Sequence, residues 1–415
     1  MARPVTWLFA ALAGLAACGV LVDCAATPPP FSPAASREQG AAVKASSSTD
    51  RRGSVESAFV ETIGSPQPAL EQRADARALS SLCATSDAAL VRVATRLAAR
   101  SGGVDGVDPD TLDYELRRAG APYVWPRAWR FDGDEAQLDD ARARMQRWLS
   151  GFGDGGSRRC GVAVLHKADT QLTVAAVAVD VLADLDALPT RVRIGQWVDV
   201  RATLHVPADA AKLIVLGPRG APHAVPTTLD NGRLQARFNA DHEGAWLVQV
   251  LAAVDGGPRP LLEALLFAGV EPPTELVAPQ APGEEAAQAV KDPRAALYGM
   301  VNAARATEQA APLERDARLE ELAQAHAEAM RHARKTAHDV GDGDLNQRLA
   351  NAGLELRAGE NVAHAANAAL SHRALWASPS HRENLLFPNF DVVGIGVAPD
   401  ADGTLWICEL FASTH

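Results

Sequence analysis

The sequence predicts a multidomain α+β chain: a helical block closing with a β-hairpin, then a β-sandwich, then helices packed on a short antiparallel sheet. Three observations carry this. The 415 residues are too many for one ordinary core. Pro- and Ala-rich stretches at residues 25–75 and 271–285 interrupt the apolar patterning. Between them the apolar period changes from helical to two and back again.

At the N-terminus, Met1-Ala2-Arg3 supplies a short positive region and residues 5–17 an apolar run too short to span a bilayer comfortably. The run ends in Leu15-Ala16-Ala17-Cys18. This resembles the bacterial lipoprotein signal, in which the Cys becomes the first residue of the mature chain and carries the lipid. The resemblance implies a signal peptide over 1–17, lipidation of Cys18 and a mature chain anchored to the cell envelope; a plain secretory signal is the alternative. Cys24 fits the pattern badly because Asp23 precedes it. Residues 18–75 hold Pro28-Pro29-Pro30 and Ser46-Ser47-Ser48 with little apolar periodicity, so a disordered tether is expected.

Residues 76–182 are expected to form the N-terminal domain. Residues 87–100 and 135–149 have helical spacing, the second with Leu138, Ala141, Met145 and Trp148 on one face. Two apolar runs, 161–165 and 172–181, follow with a turn at residues 167–169. Cys83 and Cys160 bracket this region and form a disulfide if geometry permits, as an exported chain allows. Residues 188–272 read as short strands. Val198, Val200, Ala202, Leu204 and Val206 alternate with polar residues until Pro207, and Asp230-Asn231-Gly232 marks a turn. The outline is similar to immunoglobulin-like modules, and no chemistry is assigned to it. Residues 273–290 are a linker.

Residues 291–415 form the last domain. Leu297, Met300, Val301 and Ala304 stripe a first helix, Asp316 caps a second carrying Leu319, Leu322, Ala323 and Met330, and further helices are expected over 347–352 and 365–376. Residues 392–397 and 406–411 are strands, and Cys408 is a buried inert thiol in the second.

Within this domain Ala337-His338, Gly359-Glu360-Asn361-Val362-Ala363, Ser378-Pro379-Ser380-His381-Arg382-Glu383-Asn384 and Val393-Gly394-Ile395-Gly396-Val397 follow one another in order. The series closely resembles the bacterial branch of the CAP superfamily (cysteine-rich secretory proteins, antigen 5, pathogenesis-related 1), over residues 293–415. The resemblance implies an α-β-α sandwich with one cleft lined by His338, Glu360 and His381. Two imidazoles and a carboxylate can share a proton or hold a divalent ion, so His338 and His381 are candidate ligands of Zn²⁺ or a similar cation. Glu360 is placed beside a helix start, where a helix dipole would favour its charge. Asn361 is expected to hold a loop by hydrogen bonds, and Glu409 either faces the cleft or is a strand-end charge. His326, His332, His364 and His372 receive no role. Two departures stand out: Thr336-Ala337 precedes His338 where bacterial members often have Phe-Ser, and residues 365–375 supply no second cleft glutamate. A faint echo of the domain runs through Trp148-Leu149-Ser150 and Cys160-Gly161-Val162, so residues 76–182 are either a degenerate CAP-like copy or an unrelated helix and hairpin.

With 47% hydrophobic and 22% charged residues, packed domains are expected; with a formal net charge of −11 and no basic stripe, nucleic acid is excluded as a partner. The favoured function is binding of an envelope or extracellular lipid, peptide or glycan in the His/Glu cleft, with or without a divalent ion. The alternatives are a metal-assisted hydrolase with candidate catalytic residues His338, Glu360 and His381, and a structural surface lipoprotein with a vestigial cleft. No other cofactor is implied.

Overall fold

A computed structural model describes residues 59–64, 72–100, 109–152, 157–167, 170–254, 257–276 and 280–414. The signal segment 1–17, Cys18 and most of the tether lie outside the described residues. The tether expectation nevertheless runs too far. Phe59 and Ile63 are buried, and β1 (Thr62–Ile63) pairs with a strand of the central lobe. Two bulky apolar side chains suffice to anchor a segment whose composition is otherwise polar.

The N-terminal lobe continues with α1 (Ala74–Ser80), β2 (Thr85–Ser86), α2 (Ala88–Ala99), α3 (Pro109–Arg118), β3 (Arg127–Asp134), α4 (Leu138–Ser150), β4 (Ser157–His166) and β5 (Gln171–Val181). Asp87 caps α2 by accepting from the Leu90 N–H. The lobe is more than helices and a hairpin: four strands lie in the order β2-β4-β5-β3. The strand missed in sequence, β3, reads Arg-Ala-Trp-Arg-Phe-Asp-Gly-Asp, a charged edge with weak alternation. Cys83 and Cys160 are joined, their Cα atoms 5.8 Å apart.

The central lobe contains β6 (Ala183–Leu185), β7 (Leu188–Pro189), β8 (Arg191–Val192), β9 (Gln196–Leu204), β10 (Ala210–Leu216), β11 (His223–Val225), β12 (Thr227–Asp230), β13 (Arg233–Ala240), β14 (Gly244–Val254) and β15 (Gly257–Ala268). They form a five-stranded sheet, β11-β10-β14-β15-β8, over a four-stranded one, β12-β13-β9-β6, with one apolar core between them. The outer face of β9 and β13 is solvated, which gives β9 its alternation. β14 differs. Trp246, Val248, Val250 and Ala252 enter the sandwich core, yet Gln249 between them is also buried. The five-stranded sheet is covered on both faces, and the near-continuous apolar run of β14 follows from that.

The C-terminal lobe follows with α5 (Glu284–Ala287), α6 (Pro293–Thr307), β16 (Glu314–Arg315), α7 (Ala317–Ala333), α8 (Leu345–Asn351), β17 (Arg357–Ala365), α9 (Ala368–Ala377), α10 (Pro379–Leu386), β18 (Val392–Pro399) and β19 (Leu405–Ser413). Part of the expected linker is docked, since Glu284 of α5 is buried and both its oxygens accept from Arg373 of α9. The sheet order is β16-β18-β19-β17. Its two faces carry separate cores, one beneath α7 and one beneath α6, α9 and α10, so helices cover both sides. Gly394 and Gly396 explain how closely α7 lies on β18. A Cβ at either would stand 2.2 or 2.1 Å from the backbone of Leu319 or Ala323.

The first and last lobes share a topology. In each, a two-residue strand pairs parallel with the third strand, and the second and fourth strands pair antiparallel at the other edge. Asp87 and Asp316 both cap the following helix while their N–H groups donate to Cys160 and Val393, the same step of the third strand. Laying Cys160 on Val393 places Ala128 at Glu360, Trp129 at Asn361 and Ala176 at Glu409. No helix among the described residues is long and apolar enough to cross a membrane.

Candidate functional site

The candidate site grows from two adjacent residues of β17, a strand at the edge of its sheet. Successive side chains on a strand point to opposite faces. Glu360 therefore enters the α7 layer, and Asn361 enters the α9–α10 layer. Glu360 sits mid-strand and not at a helix start, because residues 357–365 pair continuously with β19. Its charge is held by side chains. Oε1 accepts from His338 Nδ1 at 2.7 Å, and Oε2 accepts from Arg348 Nη2 at 2.6 Å and from Cys408 Sγ at 3.4 Å. Burial pushes the Glu360 carboxyl toward neutrality, but His338 and Arg348 outweigh it and keep its pKa below the ordinary range. The same burial drives the Cys408 thiol well up, so it is no nucleophile.

Arg348 ties this corner together. Beyond Glu360 it donates to the His338 and Gly343 carbonyls, which fixes the loop carrying His338. His326 lies behind it, fully buried, with one ring nitrogen 2.7 Å from Asp342 Oδ2 and the other 3.0 Å from the Ala337 carbonyl. Neither residue was assigned from sequence. A signal existed for His326: it shares the buried face of α7 with Leu319, Ala323, Ala327 and Met330. None existed for Arg348, since a lone Arg on a short amphipathic helix is ordinarily solvated.

On the other face, Asn361 Nδ2 donates to the His381 carbonyl at 3.2 Å and to Glu409 Oε2 at 3.3 Å, and Asn384 donates to Asn361 Oδ1. Glu409 is buried opposite Asn361 across the strand pair, and its Oε1 has no partner. Burial raises its pKa to about 7. His381 stands at the start of α10, its Nδ1 2.8 Å from Ser378 Oγ. Burial lowers its pKa to about 4, and nearby His338, when protonated, adds to the effect. The structure therefore brings His338, Glu360, Asn361, His381 and Glu409 into one neighbourhood at the free edge of β17. Both histidines use Nδ1 within the protein, and Nε2 of each makes no protein hydrogen bond among the described residues.

A tightly held metal does not fit these donors. Zn²⁺ needs three or four protein ligands, whereas the Glu360 oxygens are committed to Arg348, Cys408 and His338. Two imidazole nitrogens remain, beside a guanidinium. No group of three or more His, Cys, Asp or Glu among the described residues has the arrangement of a metal site. His338 and His381 act through Nδ1 as hydrogen-bonding groups, and no further His, Cys, Asp or Glu among the described residues joins their Nε2 atoms as a third ligand. Arg348 stabilises the charged form of Glu360, which lowers its basicity.

Residues 298–410, with this site inside them, match the model of the cysteine-rich secretory protein family, CAP. The C-terminal lobe is a CAP domain. No curated protein matches the chain. Among solved structures, an outer surface protein from Borrelia burgdorferi is similar at 23% identity, over 30% of this chain and 93% of its own, with a TM-score of 0.28. An extracellular SCP-domain protein from Bacillus anthracis is similar at 15% identity, over 68% of this chain and 94% of its own, with a TM-score of 0.27. A cysteine-rich secretory protein from Staphylococcus aureus is similar at 13% identity, over 65% and 92%, with a TM-score of 0.25.

The CAP domain does not stand alone. Its α10 packs on β10 and β14 of the central lobe, where Lys212 donates to Glu383 at 2.8 Å. Gly257, at the start of β15, has a φ of +110°, and a Cβ there would lie 3.3 Å from His338 Cβ. A lobe to which the sequence assigned no chemistry thus lies against both halves of the site.

Proposed function

We propose that the protein is an exported, lipid-anchored envelope protein whose CAP domain binds a ligand in the His338/His381 crevice without turning it over. The observation that carries this reading is the pair of imidazoles held through Nδ1, by Glu360 and by Ser378, with both Nε2 atoms left for a ligand. Side chains that hold both rings in place preorganise a binding site. The polar surroundings (His338, His381, Ser378 and Ser380) favour a peptide or glycan over an acyl chain. Export is supported by the signal-like segment ending in Cys18 and by the Cys83–Cys160 disulfide, which persists in oxidising compartments. The N-terminal lobe, with the CAP strand order but Ala128, Trp129 and Ala176 at the positions of Glu360, Asn361 and Glu409, reads as a degenerate copy without a polar cleft.

The test is retention of the mature chain on purified peptidoglycan and on phosphatidylglycerol vesicles, compared with a His338→Ala/His381→Ala variant. Retention on peptidoglycan by the unaltered chain alone is expected. Equal retention of both chains, or none, overturns cleft binding, and histidine-dependent retention on vesicles would make the ligand a lipid. A Zn²⁺ titration of the same chain is expected to show no site tighter than micromolar. Mass spectrometry of the mature N-terminus checks the anchor, which an unlipidated chain beginning elsewhere than Cys18 refutes.

A further inference from the structure

The strongest unexplained group is Gln249. A fully buried amide on the outward face of a sandwich strand is costly unless each of its polar atoms is paired. Here they are. Gln249 Oε1 accepts from the Ser380 N–H at 3.1 Å, and Nε2 donates to Glu263 Oε1 at 2.6 Å and to Ser378 Oγ at 3.4 Å. Glu263 lies opposite Gln249 on β15, and its second oxygen accepts from Arg117 of α3 at 2.9 Å. Arg117 is itself braced by Asp113 at 2.7 Å. One chain of polar contacts therefore starts in the N-terminal lobe, runs along the outer face of the five-stranded sheet and ends at the start of α10, which bears His381.

The direction of these bonds decides what His381 presents. Ser378 is the N-cap residue of α10, yet its side chain makes no capping bond, so the hydroxyl is free to serve His381. Its oxygen receives the Gln249 amide N–H, and of the two acceptors within reach of its own proton His381 Nδ1 at 2.8 Å is nearer than Ser380 Oγ at 3.5 Å, so the donation favoured by distance is to His381. With Nδ1 as acceptor, the proton of the neutral ring sits on Nε2. At His338 the order is reversed. Nδ1 faces the Glu360 carboxylate and must donate, so in the neutral ring Nε2 carries the lone pair.

We propose that Gln249 is the positioning residue for His381, and that the cleft is polarised, with His381 Nε2–H as donor and His338 Nε2 as acceptor. The ligand must then present an acceptor and a donor side by side, as the C=O and N–H of one residue in an extended peptide do. This rests on the binding reading above and sharpens it toward peptide-bearing ligands. It also explains why the sandwich is docked on the CAP domain: one of its residues sets the tautomer of a cleft histidine.

The experiment is ¹⁵N-resolved NMR of the imidazole rings in the mature full-length chain at neutral pH without ligand, for the unaltered protein, Gln249→Leu and Ser378→Ala. Expected are opposite tautomers in the unaltered chain, Nδ1–H at His338 and Nε2–H at His381. Both variants should lose the single-tautomer pattern at His381, while His326, whose partners are untouched, keeps its signals. If Gln249→Leu shifts His326 as well, it has unfolded the domain, and Ser378→Ala decides alone. The proposal is overturned if both histidines carry the same tautomer, or if His381 remains pure Nε2–H in Ser378→Ala or in a Gln249→Leu chain whose His326 signals are unchanged. Because no ligand is used, failure here is distinct from failure of the retention assay, which tests the binding reading itself.

Discussion

Glu409→Gln separates electrostatics from shape at one buried position. Glu409 is fully buried, one oxygen accepts from Asn361 and the other has no partner, and its pKa in the folded chain is about 7 against 4.5 for a free glutamate. Below pH 4.5 the group is protonated in both states and has no differential effect. As pH rises from 4.5 to 7 the unfolded chain ionises first, so stability falls; above 7 both states are ionised and the penalty is constant. A difference of about 2.5 units corresponds to about 3 kcal/mol. Glutamine keeps the shape and the acceptor for Asn361 and carries no charge at any pH. The variant should therefore gain less than about 1 kcal/mol at pH 5 and about 3 kcal/mol at pH 8 over the unaltered chain. Urea unfolding at both pH values, followed by the fluorescence of Trp376 and Trp406, reads this directly. A gain of equal size at the two pH values, or a loss at pH 8, would refute the argument that burial of the charge is what costs stability.

Arg348→Met leaves the Glu360 charge buried with His338 and the Cys408 thiol as its remaining partners, and a loss of about 3–5 kcal/mol in urea unfolding is expected at pH 7.5. Adding Glu360→Gln should recover part of that loss, whereas simple additivity of the two changes would contradict the pairing. His372 is fully buried with neither ring nitrogen in hydrogen-bond geometry, and burial lowers its pKa to about 4. Its contribution is complete above pH 6.5 and is lost as pH falls toward 4, by about 3 kcal/mol. His372→Leu should accordingly flatten the acid side of the stability profile, and an unchanged acid limb would disprove it. Gly394→Ala drives a methyl into the Leu319 backbone, which must lift α7 off the sheet. Loss of near-ultraviolet circular dichroism or of soluble protein is expected, and a native spectrum with an unchanged melting temperature would show that the approach is looser than described.

Much of the C-terminal lobe was legible in the sequence, because its signals are local. Amphipathic stripes put Leu297, Met300, Leu319 and Ala323 inward, Asp316 caps α7 as its type and place suggest, and the ordered motifs named Glu360 and Asn361, whose hydrogen bonds reach His338 and the His381 carbonyl. Glu360 shows the limit. Its neighbours in sequence suggested a helix start, yet pairing with β19 made it a strand residue, and strand pairing is a long-range contact that no local window contains. The missed β3 has the same cause.

What the sequence by itself determined was the set of reactive side chains and the order of the lobes. The tertiary structure alone decided what those side chains can do. Arg348 and His338 reach Glu360 from 12 and 22 residues away and commit its oxygens to hydrogen bonds. Gln249 reaches the His381 loop from 131 residues away, on a strand whose pattern announced nothing but burial. The free energy of a buried charge or amide depends on the partners that folding brings within about 3 Å, and those partners belong to other segments of the chain.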